Sequence, residues 1–144
     1  MASRNVELAR AGFEALAETY RTGDVAPLRA LFEEQIDPGF VLRGEGEVFT
    51  EGEWRGPDGL LDFITNQMEA MEFMWIEPED FIEVGGDTVV VPIRFGGRAR
   101  HTEIDVELSP THVYTLRDGK TVMLRIFRNR EEALAAVGLT AGRR

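Results

Sequence analysis

"HVYTLRDGKTVMLRIF", residues 112–127, reads as two short strands joined by a tight turn, and its reading decides what kind of sheet the chain builds. Asp118-Gly119 favours a two-residue hairpin loop, as Asp-Gly is among the dipeptides preferred in such turns. A turn there sets Arg117 opposite Lys120, Tyr114 opposite Met123 and His112 opposite Arg125. Side chains alternate faces along a strand, so His112, Tyr114, Met123, Arg125 and Phe127 share one surface. Val113, Thr115, Val122, Leu124 and Ile126 share the other. One face is polar and aromatic, the other aliphatic.

Two assignments follow. In the first, the aliphatic face packs on helices and the His-Tyr-Arg face meets solvent. In the second, the His-Tyr-Arg-Phe face lines a pocket, and the aliphatic face is an outer surface covered by a second subunit. The residues alone leave both open, and a bulge near Ser109-Pro110 would shift the phase of the preceding strand.

Working back from the hairpin, the β-rich pattern begins near Trp75. "MWIEPEDFIEV" (74–84), a turn at "GGD", "TVVVPIRF" (88–95), a turn at "GGRAR", "HTEIDVELSPTHVYTL" (101–116) and "KTVMLRIF" (120–127) form a four-stranded meander. Before it, Val6, Ala9, Phe13, Leu16, Ala17 and Tyr20 recur at helical spacing, and Gly23 ends that helix. Asp24 caps a short second helix with Pro27 in its first turn and Leu28, Leu31 and Phe32 facing inward. A brief strand, "GFVLRG", follows Pro38, and "EGEVFTEGEW" (45–54) reads as a solvated loop, since its glutamates lack the spacing of a calcium loop. Pro57 opens a third helix whose inner face carries Leu60, Leu61, Ile64, Met68 and Met71. "NREEALAAVG" closes the chain, with Asn129 and Glu132 at capping-box spacing and Gly138 as the stop. Helices gathered ahead of an antiparallel sheet, in the order α-α-β-α-β-β-β-β-α, define an α+β domain spanning 1–144.

Composition narrows the function. A formal charge of −10, with no basic run interleaved with aromatics, disfavours nucleic acid and anionic membrane surfaces. The absence of cysteine removes disulfides, thiolate metal sites and cysteine nucleophiles. With His101 and His112 as the two histidines and no helical pair, no transition-metal site is expected. The acids and arginines of "MASRNVELARAGFEAL" suit neither a signal peptide nor a membrane span, so a cytoplasmic location is expected.

"EWRGPDGLLDF", "GGRARHTEIDVEL" and "HVYTLRDGKTVMLRIFRNREEALAAVGL" together resemble the SnoaL-like branch of the nuclear-transport-factor-2-like superfamily over nearly the whole chain. The resemblance implies a cone-shaped fold, a curved sheet wrapped around the N-terminal helices with a pocket inside. It favours the pocket-lining assignment of the His-Tyr-Arg face and a homodimer through the convex sheet. It leaves the reaction open, since the superfamily holds isomerases, dehydratases, cyclases, hydrolases and proteins without catalysis. The acid that SnoaL-like cyclases use on the last strand is replaced here by Arg125 among Met123 and Phe127. The first-strand aspartate of ketosteroid isomerases and the aspartate pair of limonene-type epoxide hydrolases are also missing.

The expected function is binding of an apolar or amphipathic molecule bearing a carbonyl or acid group, without a cofactor. Isomerase, dehydratase or hydrolase chemistry is one alternative, and a non-catalytic dimeric module is another. His112 is the candidate acid or base, and Arg125 the candidate anchor for negative charge. Tyr20, Trp54, Tyr114, Met123 and Phe127 are the candidate ligand contacts. Asp105 and Glu107 alternate with Ile104, Val106 and Leu108, which points them to solvent. Trp75 is assigned to core packing.

Overall fold

The computed structural model of the chain describes residues 3–45 and 53–139. Of the acid-rich loop, Glu47 and Glu51 lie outside the described residues. Helix α1 (Arg4–Thr22) begins where the Ser3 side chain accepts from the Val6 N–H at 3.1 Å, and ends where Gly23 turns left-handed at φ 80°. Helix α2 (Ala26–Gln35) follows, with the Asp24 carboxylate accepting from the Ala26 N–H at 3.0 Å. Strand β1 (Ile36–Gly44) and the short β2 (Glu53–Arg55) lead to helix α3 (Gly56–Ala70). Then come β3 (Met71–Pro78), β4 (Ile82–Val84), β5 (Thr88–Ala99), β6 (Asp105–Leu108), β7 (Thr111–Arg117), β8 (Lys120–Phe127) and helix α4 (Arg130–Ala136). Asn129 caps α4 through its side chain, which accepts from the Glu132 N–H at 2.9 Å, as the spacing predicts. No helix among the described residues is long and apolar enough to cross a membrane.

Among the described residues the sheet has eight strands rather than the five read from the sequence. β5 is its spine: its first half pairs with β4 and β7, and its second half with β3 and β6. The expected single strands on either side of β5 are therefore each broken in two. Gly96-Gly97, expected to turn the chain, instead lie inside β5, and the turn falls at Arg100–Thr102. The glycines are there for close approach. A Cβ at Gly97 would stand 2.1 Å from the Phe73 carbonyl oxygen, and one at Gly96 2.6 Å from the Trp75 ring.

The order β2-β1-β8-β7-β5-β3 places the last strand between the first and the seventh. β1 runs parallel to β8, so the sheet is mixed and not wholly antiparallel. It curves around the three N-terminal helices. Leu28, Phe40, Leu42 and Leu61 form one part of the core against Leu124 and Ile126; Val6, Phe13, Val89 and Val91 form another. α4 covers a patch of the outer face, where Ala133 and Leu134 pack on Val90, Val113 and Phe127.

The hairpin keeps its predicted turn and loses its predicted register. Asp118 and Gly119 take φ of 54° and 78°, and Arg117 pairs with Lys120. Leu116 then pairs with Thr121, but Thr115 pairs with Met123, so Val122 is an extra residue in a β-bulge. Beyond it every side chain of β8 changes face. Tyr114 sits opposite Leu124, and His112 opposite Ile126.

Candidate functional site

Between the sheet and the helices lies a cavity of about 510 Å³, within the range of small-molecule sites. Its wall is built where apolar periodicities converge: Phe13 and Leu16 from α1, Ile64 from α3, Ile93 from β5, and Leu124 and Ile126 from β8. Its polar lining comes from Tyr20, Gln35, Asn66, Gln67, His112 and Tyr114, with Thr121 and the Trp54 indole. Among the described residues no Asp, Glu, Lys or Arg lines it.

His112 and Tyr114 alternate with outward residues on β7, so both point inward. The His112 Nδ1 lies 2.9 Å from the Tyr114 hydroxyl, and Phe13 packs beside both rings, with centroids 5.7 and 5.8 Å away. His112 is 9% exposed. Burial without a carboxylate partner disfavours the imidazolium and pushes its pKa down to about 4, so the ring is neutral at pH 7. The same desolvation drives the Tyr114 hydroxyl upward, and the nearby Tyr20 adds to that push. Burial also raises Tyr20. The Tyr20 hydroxyl forms no hydrogen bond among the described residues, which leaves it available to a guest.

Of the candidate site residues, the structure brings together His112, Tyr20, Trp54 and Tyr114. It does not bring Met123, Arg125 or Phe127 with them, and the bulge at Val122 is the reason. Arg125 lies on the outer face, 3.1 Å from the Glu45 carboxylate, which also takes Arg43 at 2.7 Å, and its guanidinium stands 4.9 Å from the Phe127 ring. Phe127 is buried beneath α4. The aliphatic stripe expected to bury a dimer face is divided as well: Leu124 and Ile126 line the cavity, and Val113 lies under α4. Trp75 packs against Gly96 with Arg94 5.4 Å above its ring, on the outer face and away from the core. Asp105 and Glu107 are exposed and paired with Arg98 and Arg94, as their alternation predicts.

The sequence reading missed Gln35, Asn66 and Gln67. Each is a polar residue one helical step from an inward apolar one, a pattern that also fits a solvent-facing flank. Only the position of α2 and α3 against the cavity distinguishes them.

A curved mixed sheet wraps three helices around a cavity whose described lining carries no charged side chain, an α+β cone. The chain belongs to the SnoaL-like domain family, whose match spans residues 13–123. No sequence among curated proteins matches it significantly. Among solved structures, a SnoaL-like protein from Jannaschia sp. CCS1 is similar over 96% of this chain and 94% of its own, with TM-score 0.71 and 21% identity. TerC, co-crystallised with polyporic acid, is similar over 94% and 98%, with TM-score 0.67 and 22% identity. An NTF2-like protein of unknown function from Burkholderia pseudomallei is similar over 95% and 99%, with TM-score 0.69 and 19% identity.

Proposed function

We propose that this protein binds a small, uncharged, largely apolar molecule carrying a carbonyl or hydroxyl group. One observation carries the reading: a cavity of about 510 Å³ whose described lining has no charged side chain but holds the His112–Tyr114 pair and a Tyr20 hydroxyl without a hydrogen-bond partner among the described residues. A carboxylate guest would lose water with no cation among the described residues to meet it, since Arg125 faces the other way. This narrows the expected ligand from carbonyl or acid to carbonyl or hydroxyl. The volume favours a ligand site over a purely structural module. TerC, of similar fold, was co-crystallised with polyporic acid, which accords with a small-molecule role.

Isomerase-type chemistry is the second reading, favoured by the His112–Tyr114 contact, a path for moving a proton between ring and hydroxyl. An imidazole held near pKa 4 is a weak base at neutral pH, and binding therefore takes precedence.

The test uses two probes of similar shape, 2-acetylnaphthalene and 2-naphthoate. The neutral ketone should bind at pH 7 at least about fivefold more tightly than the anion, because the unpaired carboxylate bears a desolvation cost of at least roughly 1–3 kcal/mol. Equal affinities, or preference for the anion, would sink the proposal.

A further inference from the structure

Helix α1 carries a single glycine inside its caps, Gly12. A helix-interior glycine is less stable than alanine and calls for a reason. Its backbone is not in the left-handed region, so conformation does not require it. Nor does packing: a Cβ built on Gly12 meets no atom within 4 Å beyond its chain neighbours and the backbone of its own helix. The empty space is not bulk solvent alone, because Gly12 lines the cavity together with Leu8, Ala9 and Leu16, the residues four before, three before and four after it. Those spacings place all four on one face of α1.

We infer that Gly12 is a specificity-determining position, whose missing side chain leaves the room along the α1 wall that a ligand larger than a two-ring compound occupies. The inference rests on the reading of the cavity as a ligand site. Helix stability is given up at this position for cavity space, so substitution should move stability and binding in opposite directions.

The experiment titrates wild type, Gly12→Ala and Gly12→Leu with two neutral ketones, 2-acetylnaphthalene and the larger 2-benzoylnaphthalene, and records each thermal midpoint. Gly12→Ala should raise the midpoint by about 2–4 °C through helix propensity. Gly12→Leu should weaken the larger ketone by about tenfold or more and the smaller by less than about threefold, the scale on which added side-chain volume discriminates in an apolar pocket. Should Gly12→Leu fail to fold, Gly12→Ala, whose methyl meets open space, must show the same ordering at about threefold for the larger ketone. Wild-type binding of both ketones with no size-dependent loss in the variants overturns the role of Gly12 alone. Failure of the wild type to bind 2-acetylnaphthalene overturns the ligand-site reading, and this inference with it.

Discussion

His112 and Tyr114 stand two residues apart on one strand with the imidazole Nδ1 2.9 Å from the phenol hydroxyl, in a wall that holds no carboxylate among the described residues. Both groups are therefore neutral over a wide pH range, and the histidine enters the stability of the fold only when acid forces a proton on the unfolded chain.

That gives a signed pH dependence. The folded pKa of His112 is depressed to about 4 from 6.5, so above pH 6.5 neither state binds the proton and the residue contributes no slope. Between pH 6.5 and 4 the unfolded chain protonates first, and the native state loses up to about 3 kcal/mol, at roughly 1.4 kcal/mol per pH unit. Urea unfolding of wild type and His112→Phe across this window should give curves whose difference grows as pH falls and levels below pH 4. A constant difference would show that His112 titrates alike in both states.

Tyr20→Phe removes a hydroxyl that makes no hydrogen bond with the described residues, so native stability should change by less than about 0.5 kcal/mol. Affinity for 2-acetylnaphthalene should fall by about threefold to tenfold, the worth of one hydrogen bond of roughly 0.5–1.5 kcal/mol, while naphthalene binding stays level. Calorimetric titration checks both ligands, and an equal loss for both would assign Tyr20 to shape alone.

Arg125→Met probes the outer face. Glu45 keeps Arg43 when Arg125 is removed, so unfolding free energy should drop by only about 1 kcal/mol, and ketone affinity should stay within about twofold. A larger loss of binding than of stability would place the guanidinium back in the ligand site.

Gly97→Ala should be among the most damaging single-methyl changes in the chain. The methyl would meet the Phe73 carbonyl oxygen at 2.1 Å, a backbone atom that cannot swing aside, and a loss of about 3 kcal/mol or more is expected. Gly86→Ala, with nothing within 4 Å of the new Cβ, is the control and should leave the denaturation midpoint nearly unchanged.

Helical periodicity placed α1, α2 and most of α3, though Met71 opens β3 rather than closing α3; Gly23 marked the end of α1 and Asn129 the start of α4, because such caps are local signals that act locally. The Asp118-Gly119 turn was legible for the same reason. What the hairpin concealed was one residue. Nothing in "KTVMLRIF" marks Val122 as a bulge, which arises where the strand bends in three dimensions, and that single insertion moved Arg125 out of the site and Leu124 into it. Each assignment of the two faces thus held half the answer: histidine and tyrosine turn inward, and so do the aliphatic residues of the next strand. Gly96-Gly97 misled in the converse way, since close backbone approach and turning call for the same residue.

β8 lies between β1 and β7, although β1 ends at residue 44 and β8 begins at residue 120. During synthesis β1 therefore waits without its main neighbour until the ribosome has released some eighty further residues. The long-range parallel pairing that closes the sheet is the kind of contact that slows folding, and an exposed strand edge persists in the meantime. The nascent chain is consequently most vulnerable to aggregation just before its last strand emerges, and a truncation that stops short of residue 120 should yield an aggregating fragment rather than a smaller cone.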